Sequence, residues 1–253
     1  MLERAALLSD LPHVVHGFTT RDGGHSTGKF SSLNLGGRWG DDPEAVRRNY
    51  EAVAAAGGYL PEQLVRVRQV HGAAVLGANE VGPGAEADGL WCSREQAPRV
   101  VGVLTADCVP VLLADREGRA VAAIHSGWRG TVAGVVPAAV AALGCQGIEP
   151  AQLVAAIGPC IEQAAFEVGD EVAAQFDAAF VERERWAKPH VDLVGVIAAQ
   201  LQREGVPTSS VERVGGCTHS RPERYFSYRR DGAGIGQMMS FIGLVSAVDS
   251  SSR

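Results

Sequence analysis

Two imidazoles and one thiol stand at the ends of apolar runs in this chain: His71 in QVHG, Cys108 in TADCVP and His125 in AIHSGWRG. A His/His/Cys set is one that zinc accepts, and three protein ligands leave a fourth position for water or substrate. Such a centre activates water near neutral pH. Spacings of 37 and 17 residues match no short metal motif, and a strand-end histidine serves equally well as a hydrogen-bonded structural residue. Around these three lie other groups with two readings each. Gly127–Thr131 opens a helix and, with Arg129, offers N–H groups and charge to a phosphate, or is simple turn geometry. Arg229, in the run Arg229-Arg230-Asp231, is an anion contact or part of a solvated charge cluster. Cys217 and His219 in GCTH belong to a turn or to the edge of a cleft. His13, His16, His25 and His190 have only surface or local hydrogen-bonding contexts, and Cys92 and Cys145 read as small core residues.

The elements that must position these groups centre on Val100–Thr131. Val100–Leu104, Val109–Ala114 and Ala120–Ile124 are strand-like runs, the last two joined by the polar turn Asp115–Gly118. Cys108 precedes one strand and His125 ends the next, so their side chains can converge. Upstream, His16–Thr20 and Ser31–Gly37 read as short strands. Asp41-Asp-Pro-Glu44 is a helix start with an Asp cap, an early Pro and acid at the positive end. Val46, Tyr50, Val53 and Ala54 share a face of that helix, and Gly57-Gly58 ends it. Leu64–His71 alternates as a strand, with Val65, Val67, Gln69 and His71 on one side, and Ala74–Ala78 forms another. Downstream, the pattern predicts a helix over Thr131–Leu143 kinked at Pro137, then a strand at Leu153–Ile157. Helices follow near Gly169–Phe180 and Val191–Glu204. Val211–Gly215, Arg224–Gly232 and Gln237–Val245 read as strands. Residues 249–253 form a disordered tail, and 1–248 one mixed α/β domain.

Composition narrows the function classes. The chain of 253 residues carries a net charge of −6, with a pI near 5.7, which argues against a duplex nucleic-acid binder. No apolar run is long enough to span a bilayer, and the N-terminus lacks the pattern of a signal peptide. Five scattered cysteines without CxxC spacing point to a reducing cytosol and not to a disulfide framework. The oligomeric state is not encoded in any motif; a monomer is the expectation.

Several longer motifs then occur in fixed order along nearly the whole chain: TRDGG (Arg21), SSLNLG (Asn34), GDDPEAVRRN (Asn49), QVHG, ADGL (Asp88), TADCVPVLLAD, AIHSGWRGT, IGPCI and FSYRRDG. Together they resemble the YfiH-like family, long labelled laccase-domain or polyphenol oxidase proteins. The resemblance implies an α/β sandwich of mixed sheets flanked by helices. It also implies a zinc enzyme of purine nucleosides that phosphorolyses adenosine, inosine and methylthioadenosine and deaminates adenosine. The family's metal positions map onto His71, Cys108 and His125. Two departures bear on phosphate contacts and substrate preference: Tyr50 after Asn49, and Ile235 between Gly234 and Gly236, each where relatives typically carry Arg.

Under that implied chemistry the candidate acid/base groups are Asp107 and His219. The substrate and phosphate contacts would come from Arg129, Arg48, Arg229 and Asn34. The partners are a small purine nucleoside and inorganic phosphate, with neither nucleic acid nor membrane. Copper is a possible alternative occupant, since Cu(II) binds N/S sites tightly. A trinuclear copper oxidase, however, needs many imidazoles, commonly as HxH pairs, and the chain has seven histidines with none so paired. A further alternative is a cysteine hydrolase with Cys108 as thiolate and His71 or His125 as base, in the manner of an amidase that edits cell-wall precursors.

Overall fold

The computed structural model describes residues 1–244; the tail and Val245 lie outside the described residues. In chain order the strands are β1 (Leu2–Glu3), β2 (Val14–Thr19), β3 (Leu64–Val65), β4 (Val75–Gly77), β5 (Gly89–Ser93), β6 (Arg99–Thr105), β7 (Val109–Asp115), β8 (Ala120–Ser126), β9 (Leu153–Ile157), β10 (Val181–Glu182), β11 (His190–Val191), β12 (Val211–Arg213) and β13 (Met238–Leu244). One mixed sheet runs β1-β2-β13-β6-β3 and a second runs β12-β9-β7-β8-β5-β4, with β10-β11 as a separate pair.

Side-chain alternation explains the layering. Val101 and Val103 of β6 and Ile242 and Leu244 of β13 face Leu112, Ala114, Val121, Ala123 and Leu90 of the other sheet, forming a core between the sheets. Their sequence neighbours point outward. Val100, Met239 and Phe241 pack under Val53 and Ala54 of the Pro43–Gly57 helix. Val111, Leu113, Ala122 and Ile124 pack under Val136, Val140, Ile197 and Leu201 of the Val135–Gly144 and Leu193–Arg203 helices. The result is a helix–sheet–sheet–helix sandwich, as the motif resemblance implies. Among the described residues no helix is long and apolar enough to cross a membrane.

The Pro43–Gly57 helix begins as its residues predict. Asp42 caps it by accepting the Glu44 N–H at 3.1 Å, and Gly58 closes it at φ +76°. Five expected elements differ. Leu64–His71 forms a strand only at Leu64–Val65, with an isolated bridge from Arg68 to Glu86; at Gln69 the side-chain amide takes the place of a backbone ladder, bonding both the N–H and the carbonyl of Leu104 at 2.8 Å. The helix expected over Thr131–Leu143 is two, Trp128–Ala133 and Val135–Gly144, broken at Gly134 (φ +82°). Pro137 thus lies in a first turn, where its missing N–H has no intrahelical partner to lose, and makes no kink. Gly169–Phe180 holds a helix only at Asp170–Ala173, because Asp177 caps the separate turn at Ala178–Phe180. Arg224–Gly232 contains a helical turn, Tyr228–Asp231, started by Ser227 Oγ accepting the Arg230 N–H. Ser31–Gly37 is not a strand: Leu33 and Leu35 are buried against the helix layer, and the polar atoms of Asn34 between them bond Gly36, Asp41, Asn49 and Gln237 instead of a strand partner.

Candidate metal centre

Strand β8 is buried along its whole length and delivers His125 at its end; the loop before β7 delivers Cys108. The chain leaving Gln69 delivers His71, whose φ of +62° turns it toward the other two. The ligand atoms of these three side chains lie within 4.8 Å of one another, with His71 exposed, Cys108 half-buried and His125 buried. Sγ of Cys108 is 3.9 Å from Nε2 of His71, and the two imidazole rings meet edge to face at 4.8 Å between centroids. Tetrahedral zinc bonded at about 2.3 Å to sulfur and about 2.0 Å to nitrogen would separate such atoms by roughly 3.6 Å. The donor set and its spacing therefore fit a divalent ion. Among the described residues this is the one His/Cys/Asp/Glu cluster so placed.

Asp88, at the entry to β5, holds two of the three donors. Its Oδ1 is 2.8 Å from Nδ1 of His125, and its carboxylate also accepts the N–H groups of Val70, His71 and Gly72 at 3.3, 2.9 and 2.6 Å. Burial would raise this carboxyl, but the His125 and backbone hydrogen bonds outweigh it and hold its pKa below the ordinary value. The bond to His125 fixes the orientation of the ring and points Nε2 toward Cys108. Burial would lower this imidazole, but the Cys108 charge and the Asp88 hydrogen bond reverse that and raise it to about 9, so a bound metal would take the place of the Nε2 proton. Burial would likewise push the Cys108 thiol up; the His125 and His71 imidazoles reverse this and bring it down to about 6, the acidity of a thiolate ready to ligate. Gly127 completes the arrangement, since a Cβ there would lie 2.9 Å from Sγ of Cys108 and 3.0 Å from Cδ2 of His71.

The remaining candidate residues are distributed unevenly. Asp107 adjoins the cluster, but its carboxylate accepts Thr218 Oγ1 at 2.5 Å, Ser227 Oγ at 3.0 Å and the Arg229 N–H at 2.6 Å. Those bonds tie the Arg229 backbone and Thr218, the neighbour of His219, to the residue before Cys108. The Arg229 guanidinium donates to the Ala165 carbonyl and lies over the Phe166 ring. Arg129 is exposed, its guanidinium 4.3 Å from the Trp128 ring centre. Asn34 offers nothing to a ligand: it is fully buried, its Nδ2 donates to Gly36 and Asp41, and its Oδ1 accepts from Gly36 and Gln237. Asn34 is thus a fold residue, a correction to its expected substrate role. Arg48 projects from the helix over the first sheet and is exposed.

Other expectations also change. Cys145 is exposed, not a core residue, whereas Cys92 is buried, and all five cysteines are free. His16 and His190 are buried. At the two departure positions, Tyr50 donates its hydroxyl to the Leu35 carbonyl beneath the Arg66 guanidinium, and Ile235 packs with Tyr225, Phe226 and Met238. The role of Asp88 was not assigned from sequence beyond the ADGL motif; a lone acid entering the apolar run GLWC was its only signal.

Residues 15–245 match the family described as multi-copper polyphenol oxidoreductase laccase. A Deinococcus radiodurans protein named purine nucleoside phosphorylase is 40% identical over 238 residues, covering 91% of this chain and 89% of its own. The Escherichia coli protein named purine nucleoside phosphorylase YfiH is 39% identical over 231 residues, covering 90% and 92%. The crystal structure of YlmD from Geobacillus stearothermophilus superposes with a TM-score of 0.86 at 30% identity, covering 96% of this chain and 94% of that one. With its length matched from residue 15 to 245 and relatives of this similarity along about nine tenths of it, the chain belongs to the YfiH-like, laccase-domain family.

Proposed function

We propose that this chain is a zinc-dependent purine nucleoside phosphorylase. In this reading it splits adenosine, inosine and methylthioadenosine into free base and sugar 1-phosphate, and also deaminates adenosine. The observation that carries the reading is the meeting of His71, Cys108 and His125 within 4.8 Å at a place where His71 is exposed. The names of the D. radiodurans and E. coli relatives support the same substrate class, and five free thiols suit a reducing cytosol. When bound there, zinc supplies Lewis acidity at a position open to substrate.

The chain's own residues do the rest. Asp88 orients His125 through Nδ1, the acidified Cys108 remains a thiolate near neutral pH, and Gly127 keeps the space beside both clear. In phosphorolysis a phosphate oxygen bonds to C1′ as the C1′–N9 bond breaks, and the base leaves with a proton. Arg129, four residues beyond His125, and Arg229, tied by its amide to Asp107, supply charge for the phosphate. In deamination a water oxygen bonds to C6 and the C6–N6 bond breaks, releasing ammonia; His219 is the group assigned to move the proton.

Adenosine incubated with purified protein tests this directly. The expected products are adenine and ribose 1-phosphate when phosphate is present, and inosine and ammonia when it is absent. Both should vanish in His71→Ala and Cys108→Ala; products that persist in those variants, or none from the wild type, overturn the reading. Phenol oxidation by copper-loaded, zinc-free protein, with no nucleoside turnover by the zinc-loaded form, would revive the oxidase label.

A second reading, a cysteine hydrolase acting on an amide of a cell-wall precursor, draws on the 3.9 Å approach of Cys108 to His71 and on the lowered thiol pKa. Chelation should abolish the zinc enzyme, whereas alkylation should inactivate metal-free protein only if the thiol is the nucleophile.

A further inference from the structure

We propose that Asp107 is a positioning residue for Cys108, a buried joint that aims the thiolate and ties it to the 218–229 segments, and not a proton carrier. The inference rests on reading Cys108 as a metal ligand. Asp107 sits at φ +96°, a left-handed conformation that is strained for a residue with a side chain. It persists because its carbonyl and both carboxylate oxygens are engaged. The backbone carbonyl accepts the Ile161 N–H at 2.9 Å, Oδ1 accepts Thr218 Oγ1, and Oδ2 accepts both Ser227 Oγ and the Arg229 N–H. The side chain is 8% exposed. Three chain segments, around 161, 218 and 227–229, therefore converge on the residue immediately before Cys108.

A carboxylate engaged by three donors cannot give or take a substrate proton without giving up those bonds. It can, however, fix the direction in which the next residue's Cα–Cβ bond leaves the backbone. The same bonds tie Thr218, the neighbour of His219, and the Arg229 backbone to the residue before Cys108, so loosening the joint should disturb ligation and substrate binding together.

Cobalt(II)-substituted protein separates the two roles, because the thiolate-to-cobalt charge-transfer band reports Cys108 ligation whether or not nucleosides are turned over. Asp107→Asn should weaken cobalt and zinc binding about 10-fold or more in chelator competition and diminish that band. Thr218→Val and Ser227→Ala, which leave the carboxylate in place, should shift the same two readouts in the same direction. If Asp107→Asn does not fold, these hydroxyl variants carry the test by themselves. An Asp107→Asn protein with wild-type metal affinity and band that loses one limb of its pH–rate profile would overturn the proposal in favour of proton transfer. Hydroxyl variants with an unchanged band and affinity would overturn it as well. A normal band in wild-type protein that turns over no nucleoside would instead sink the proposed function and leave this inference standing.

Discussion

Asp88 and His125 are paired twice: the carboxylate Oδ1 lies 2.8 Å from the imidazole Nδ1, and the His125 N–H donates to the Asp88 carbonyl at 2.7 Å. One residue thereby fixes the ring orientation of a buried donor and, through three consecutive N–H groups, the backbone of an exposed one. Replacing it should unsettle two corners of the site at once. Asp88→Ala leaves the ring N–H and the amides without their acceptor, costing about 2–4 kcal/mol. Metal affinity should fall about 10- to 100-fold. Chemical denaturation of the metal-free protein and zinc competition with a chelator measure the two effects separately.

Gly127 is required for space, not for its backbone angle. Gly127→Ala should push Cys108 and His71 apart and cost most of the metal affinity. Gly72→Ala is the control, because its Cβ would meet the Asp88 carboxylate at an ordinary 3.6 Å. Equal zinc content in the two purified variants would contradict the steric argument.

Asn34 and its neighbour Asn49 knit the loop before the first long helix. Asn49 accepts the His25 N–H at 2.7 Å and donates to Ser26 Oγ at 2.9 Å and to the Asn34 carbonyl at 2.7 Å. Asn34→Ala should lower stability by about 1–3 kcal/mol and leave the KM for phosphate unchanged. A raised KM in folded protein would return Asn34 to the substrate site.

His16 sets part of the acid sensitivity of the fold. Its Nε2 accepts the Ala5 N–H at 3.0 Å. Burial first, and the Arg4 charge second, lower its pKa from 6.5 to about 4. The unfolded chain thus binds more protons between those values, so the stabilisation is full above about pH 6.5 and is lost as the pH falls toward 4. The contribution is on the order of 3 kcal/mol. His16→Gln, which keeps an acceptor for Ala5 but does not titrate, should flatten the stability–pH curve over that window. An unchanged slope would show that other groups carry it.

How much could be read from residue types alone follows a physical divide. Strands β6 and β7 were legible as β-branched-rich apolar runs and β8 as an apolar run resuming after the Asp115–Gly118 turn, and the Pro43–Gly57 helix because Asp42, Pro43 and Gly58 are local signals. Cys108 and His125 were legible as strand-end groups, whereas His71, expected at the end of a strand, lies in the loop after β3; the motif series linked all three. What stayed hidden depends on distant partners. Gln69 ends a strand by bonding Leu104 35 positions away. Asp88 acts on residues 16–18 and 37 positions distant, and Asp107 on residues more than 110 positions distant. Helix breaks were hidden for the opposite reason: Gly134 outweighs Pro137 because its left-handed φ halts the ladder, whereas a first-turn proline does not.

The centre itself is tested most directly by zinc-edge X-ray absorption on protein of known metal content. One zinc per chain, with one sulfur at about 2.3 Å and imidazole nitrogens at about 2.0 Å, is the expected result, with the sulfur shell lost in Cys108→Ser. Zinc bound with no sulfur scatterer, or a sulfur shell that survives Cys108→Ser, would contradict ligation by His71, Cys108 and His125.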